Sequence, residues 1–213
     1  MSRDAPTWTQ LLVKLGCATH VAATWAPIFA EVVKDDTFSM GDEELDEFLG
    51  NVLHESNYLA SLEENLYYST PGRLMAVWPS RFPTRADEVP YLRNPEALAN
   101  KVYMGRMGNV APGDGWRYRG SGAIGVTGAD NFRAIQKLTG IPIFDHPELL
   151  RAPTKEALRV CIAWWEGHVP DSIMGNGRLV RKQVNGGVIG LDDTLRLTSK
   201  AHQALESTIP PTV

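Results

Sequence analysis

The chain has 213 residues, 43% of them hydrophobic and 22% charged, with a formal net charge of −4. That length can bury the core of one large domain or of two lobes, and the mixed composition excludes a disordered, collagen-like or membrane-inserted chain. The slight acidic balance argues against nucleic acid as a partner, although Arg117, Arg119, Arg133, Arg178, Arg181 and Lys182 gather in the second half.

Met1-Ser2-Arg3-Asp4 leads into no continuous apolar segment. No signal peptide is therefore expected, and the protein is expected to be made and first held in a cytoplasm. Residues 7–35 read as helical, with Val21, Trp25, Phe29 and Val32 recurring every three or four positions. Pro27 must sit in a first helical turn capped by Thr24, or mark a kink. Ser39 to Glu44 places a hydroxyl and acids before the next apolar stripe, a helix N-terminal signature. That stripe is Leu45, Phe48, Leu49, Val52 and Leu53, at i, i+3, i+4, i+7 and i+8.

Glu55 falls at the end of this helix, on the flank of the stripe. Partial desolvation and the negative helix end both favour a neutral acid there. Glu64 follows in a polar stretch with asparagine and tyrosines able to hydrogen-bond a carboxylate. Two carboxyls with environments pushed apart suit paired acid and base work.

Residues 69–94, punctuated by prolines, read as a long ordered loop with a short helix at 71–77. Asn94-Pro95-Glu96 opens a helix to about Tyr103. Residues 105–128 are glycine-rich and carry at most a small β-hairpin near 116–127. Further helices are expected over 130–138, after Thr154 until Gly167, over 178–184 and over 192–206. Cys17 and Cys161 have no metal spacing and read as buried thiols. The fold class is mainly α, a bilobal helical domain.

Three chemistries compete. Gly120-Ser121-Gly122-Ala123-Ile124-Gly125 matches the dinucleotide fingerprint, with Asp145 about twenty residues on, but Trp116-Arg117-Tyr118-Arg119 before it is no buried strand. His54-Glu55 begins like a zinc-protease motif, but Tyr58 stands where its second histidine belongs. Glycoside hydrolysis needs a neutral acid, a second carboxylate, aromatics for sugar rings and amides for hydroxyl and acetamido groups. Glu55, Glu64, Tyr67, Tyr68, Trp78, Asn131 and Asn185 can supply these, although each aromatic taken singly also fits core packing.

At these residues the chain resembles glycoside hydrolase family 19, the chitinase-like group, and within it the bacteriophage endolysins. Four segments carry the resemblance: Phe48–Ser69, Asn94–Asn109, Gly113–Phe132 and Val184–Leu191, together about a third of the chain. The resemblance implies a lysozyme-like bilobal fold with a substrate cleft, a single catalytic domain over 1–213 without a separate cell-wall-binding domain, and an inverting mechanism. Glu55 then corresponds to the general acid and Glu64 to the general base, with Glu63 as its rival. Thr127 corresponds to the residue that helps hold the attacking water. Asn131 and Asn185-Gly186-Gly187 correspond to substrate-binding positions, with His54, Tyr68 and Trp78 as further candidates. For inversion the two carboxyls should stand about 6.5–9.5 Å apart.

Ser121 and Gly125 depart from the family pattern, which has arginine and a substrate-contacting glutamine there. A catalytically inactive glycan-binding module on a virion is the alternative this raises. Few cysteines and short loops favour a peptidoglycan-cleaving lysozyme-like enzyme over a chitinase. The expectations are no metal or cofactor, a monomer, peptidoglycan glycan strands as partner, and a holin-type permeabiliser giving access from the host cytoplasm to the wall.

Overall fold

The computed structural model describes residues 3–208, so the outermost ends of the expected 1–213 domain lie outside the described residues. Its helices are α1 (Ala5–Leu15), α2 (Thr19–Val32), α3 (Asp42–Glu55), α4 (Arg73–Val77), α5 (Arg85–Glu88), α6 (Pro95–Tyr103), α7 (Asp114–Arg117), α8 (Ala129–Thr139), α9 (Lys155–His168), α10 (Gly177–Asn185) and α11 (Leu191–Glu206). The expected hairpin reduces to two isolated antiparallel bridges, Glu63 with Ser121 and Ser121 with Val126. The fold is mainly α, as the periodicities predict.

Most boundaries follow from local chemistry. The side chain of Asn94 accepts from the amide of Ala97 and that of Thr154 from the amide of Ala157, each closing a first turn. Residues 7–35 form two helices, because Gly16 ends α1 in a left-handed conformation. Pro27 lies inside α2, and the Thr24 hydroxyl donates back to the His20 carbonyl, so Thr24 is no cap. Gly167 does not stop α9, which runs on to His168.

The chain divides into two compact units. The first comprises the described parts of Met1–Leu62, Gly122–Ile124 and Leu149–Val213. In it α3 packs along α11, α1 against α2 and α11, α2 against α9, and α10 against α3 and α11. A methyl added at Gly50 would lie 2.2 Å from Thr198 Oγ1 and 2.9 Å from the Thr198 nitrogen, so glycine is what lets α3 and α11 approach. Phe48 meets Trp165 edge-on at 5.6 Å and Phe38 at 5.1 Å, centring the core on the predicted stripe.

Yet α3 is buried on more than its stripe. Glu44, Asp46, Glu47 and Asn51 are buried too. Glu44 accepts from Trp165 Nε1 at 3.0 Å, from the Ser39 hydroxyl at 3.0 Å and from the Met40 amide at 3.2 Å. Asp46 faces His202 Nδ1 at 3.0 Å, and Glu47 accepts from the Thr198 hydroxyl at 3.3 Å. Cys17 and Cys161 are both buried free thiols of this unit, as expected.

The second unit comprises Glu63–Ser121 and Gly125–Glu148. Leu66, Leu74, Phe82, Leu98, Ala99 and Val102 form one of its buried clusters. Tyr118 stacks on Phe144 at 5.1 Å and tilts against Phe132 at 5.3 Å. Buried Glu88 accepts from the amides of Gly72 and Met75, serving the first turn of α4 in place of a local cap.

Candidate active site

Glu55 is the last residue of α3, and the chain leaves the helix through a tightly bonded turn. The Ser56 hydroxyl donates to the Val52 carbonyl at 2.6 Å and accepts from the Leu59 amide at 2.8 Å. The Tyr58 amide donates to the Leu53 carbonyl at 2.7 Å. Asn57, Tyr58 and Leu59 all take left-handed backbone angles, with φ 48°, 59° and 65°. Such angles cost roughly 1–2 kcal/mol per residue, so this hydrogen-bond lattice, with Trp25 Nε1 donating to the Leu59 carbonyl, must hold them.

The surroundings of Glu55 differ from the expected apolar edge. Arg181 of α10, only 1% exposed, donates from Nη1 to Glu55 Oε1 at 2.5 Å. Its Nε donates to the Ile189 carbonyl at 2.7 Å. Sequence reasoning placed Arg181 only in a basic cluster. The available signal was its position between Val180 and Val184 on one helical face, where a cation demands a partner. His54, expected to bind substrate, turns Nδ1 to Asp193 Oδ2 at 2.7 Å. That contact first, then Arg196, holds the Asp193 carboxyl below the usual carboxylate range. Asn185 ends α10, exposed, followed by Gly186 in a left-handed cap.

In the second unit the backbone bridge between Glu63 and Ser121 separates the two neighbouring glutamates, because successive extended side chains point to opposite faces. Glu63 accepts from Arg119 Nε at 2.6 Å, and Arg119 is itself buried with its guanidinium 3.5 Å from the Trp116 ring centre. Glu64 turns the other way. Its amide donates to the Gly120 carbonyl at 2.9 Å, and its two carboxylate oxygens accept from the Tyr103 hydroxyl at 2.7 and 2.8 Å. The Gly120 amide adds a second donor, to Oε2, at 3.3 Å. Burial first, then the Glu64 carboxylate, push the Tyr103 phenol well above its ordinary value, so it remains a donor.

Thr127 joins this group. A methyl at Gly120 would lie 3.2 Å from Glu64 Oε2 and 3.4 Å from Thr127 Oγ1, so the carboxylate and the hydroxyl flank the same α-carbon. The Thr127 hydroxyl donates to the Gly125 carbonyl at 3.0 Å, and its own carbonyl accepts from Asn131 Nδ2 at 2.7 Å. Asn131 thus spends one amide hydrogen on the loop that carries Thr127. Buried Asn109, also missed, donates to the Tyr103 carbonyl at 3.1 Å and accepts from the Ala129 amide at 2.9 Å.

Tyr68 and Trp78, both half-buried, meet edge-on at 5.8 Å and pack against the Leu66–Val102 cluster. Burial, then the Glu64 charge, raise the Tyr68 phenol above its ordinary value. Gly125 has φ 70°, and a methyl built there meets nothing within 4 Å. A glutamine at this position would have room but a strained backbone. The glycine run 120–125 forms a turn bonded through Ser121 and Val126, without the strand and helix a dinucleotide fingerprint needs.

The fold is mainly helical and carries one carboxylate bound to a guanidinium and another bound to a phenol and an amide. No protein-family model matches the chain. A glycosyl hydrolase family 19 domain-containing protein of Haemophilus influenzae is 34% identical over 152 residues, which cover 70% of this chain and 74% of that protein. Among solved structures, the fold is similar to chitinase C from Streptomyces griseus HUT6037, with TM-score 0.52, 16% identity, and coverage of 98% of this chain and 95% of that one. It is also similar to a bacterial family 19 chitinase, with TM-score 0.56, 17% identity, and coverage of 100% and 98%.

The chain belongs to glycoside hydrolase family 19. It is a glycoside hydrolase with the lysozyme-like helical fold of that family.

Proposed function

We propose that the protein is an endolysin that hydrolyses the β-1,4 glycosidic bonds of peptidoglycan glycan strands with inversion. The observation that carries the acid–base assignment is the contrast in partners. Glu64 accepts from Tyr103 through both oxygens and from the Gly120 amide, which suits an ionised carboxylate that takes a proton from water. Glu55 is held by Arg181 through Oε1, so its carboxyl is aimed from one side. The guanidinium fixes the orientation of the Glu55 carboxyl, which a positioned proton donor needs.

In this reading Glu55 protonates the bridging oxygen as the bond to the anomeric carbon breaks. Water attacks from the opposite face, loses its proton to Glu64, and is steadied by the Thr127 hydroxyl. Glu63 is set aside as base because Arg119 engages it. Asn185, Asn131, Tyr68 and Trp78 remain candidates for contact with sugar. Peptidoglycan is favoured over chitin by the resemblance of the four segments to phage endolysins, and a holin-type permeabiliser would give access to the wall.

The second reading, a chitinase, is favoured by the solved structures that share the fold, which are chitinases. Mass analysis of digests separates the two. Purified sacculi should yield muropeptides with new reducing ends, and chitin oligosaccharides should be cut far more slowly. Rapid cleavage of chitin oligosaccharides with intact sacculi would favour the chitinase.

A further inference from the structure

Several contacts of the first unit converge on the segment Gly186–Gly190. From one side Arg181 donates to the Ile189 carbonyl and, through another nitrogen, to Glu55. From the other side lies His54. A methyl at Gly190 would sit 2.2 Å from His54 Nε2 and 2.6 Å from Cε1, so the imidazole edge occupies the place of any side chain at 190. Gly190 is also left-handed, at φ 78°, and is the N-cap of α11. The imidazole is fixed by Asp193 in the first turn of α11, at 2.7 Å. The other oxygen of Asp193 accepts from Arg196 Nη2 at 2.6 Å, and the same nitrogen reaches the Tyr58 hydroxyl at 3.0 Å. The contacts close a ring: Glu55, Arg181, Ile189, Gly190, His54, and back through the peptide bond to Glu55.

We propose that Asp193 is a positioning residue for the reaction. By accepting the Nδ1–H of His54 it fixes the tautomer and plane of the imidazole, and the imidazole holds Gly186–Gly190 against the arginine that aims Glu55. The inference rests on the reading of Glu55 as proton donor. A carboxylate only accepts, so the proton between the two groups belongs to Nδ1, and the Nε2 lone pair faces Gly190. Asp193 is 38% exposed and buries no apolar group, so its contribution to rate is separable from its contribution to folding.

Asp193→Asn tests this in the full chain. Arg196 retains the amide oxygen, and the amide NH2 then faces the imidazole. Nδ1 must become an acceptor and the proton must move to Nε2, against Gly190. The logic is that of any aspartate that sets a histidine tautomer. The expected result is a fall in kcat of about 10- to 100-fold with KM changed less than about threefold, the scale of a misaimed catalytic group. Nitrogen-15 spectra of His54 should show the change of tautomer, and the melting temperature should stay close to wild type. Combined with Arg181→Lys, the loss in kcat should be less than additive, because both residues hold one segment.

Wild-type kcat with a switched tautomer would overturn the proposal, as would a loss of rate that merely tracks the unfolded fraction. Should the asparagine variant fail to fold, Asp193→Glu moves the carboxylate by one methylene and is read the same way. If Glu55→Gln is inactive while Asp193→Asn is fully active, only this inference fails. If Glu55→Gln is fully active, the assignment of the proton donor fails first.

Discussion

At the scale of single residues, Tyr103 shows how far the partners of a candidate catalytic carboxylate can lie from it in sequence. It is 39 positions from Glu64, and Arg181 is 126 positions from Glu55. The two candidate carboxylates stand out in the sequence, because one ends a patterned helix and the other follows in a polar, tyrosine-rich stretch. Their partners were not, since no local rule ties a distant phenol or guanidinium to either. This is why Glu55 was expected against apolar surface and is found against a cation. Replacing Tyr103 with phenylalanine removes the hydroxyl that donates to both Glu64 oxygens. The carboxylate then loses the donor that orients it, so kcat should fall by about tenfold with KM little changed, a modest fraction of acid–base catalysis. An unchanged kcat would remove Tyr103 from the account. Glu55→Gln should lower turbidity loss of permeabilised cells at least ~100-fold, with an unchanged circular dichroism spectrum. Normal lysis by that variant would end the assignment.

At the scale of elements, helix existence followed from periodicity and caps, while burial did not. The stripe of α3 predicted one covered face, yet Glu44, Asp46 and Glu47 are covered as well. Polar residues signal a solvated face unless a partner arrives from a distant helix, as Trp165, His202 and Thr198 do here. Burial pushes the Asp46 carboxyl up to about 6, with His202 opposing, and partial desolvation, then the Glu44 charge, raises the exposed Glu166 to about 7. An acid whose folded value exceeds its unfolded one binds more protons when folded. Its stabilising effect is therefore full at low pH and is lost as pH rises, for Asp46 between about 4 and about 6. Asp46→Asn should accordingly match wild type near pH 4 and be more stable at pH 7.5, on the order of 2 kcal/mol. Thermal melts across this range check it, and a difference independent of pH would contradict it. Gly50→Ala should cost roughly 1–3 kcal/mol in chemical denaturation, because Thr198 blocks the methyl and backbone must shift.

At the scale of the whole molecule, the mainly helical class was legible from element patterns and the family from four short segments that together span a third of the chain. The division into two interleaved units was legible only as a general expectation of two lobes. Its chain crossings fall after Leu62, after Glu148, and twice within the glycine turn at 121–125, whose sequence signals flexibility but not destination. The account assigns Glu55 as acid and Glu64 as base. Its central claim is a single displacement by water, with no glycosyl–enzyme intermediate. The most direct measurement is proton NMR of the anomeric signals in the first minutes of hydrolysis of a soluble β-linked glycan oligomer, before mutarotation. The account predicts that the new reducing end appears first as the α-anomer. First appearance of the β-anomer would contradict it.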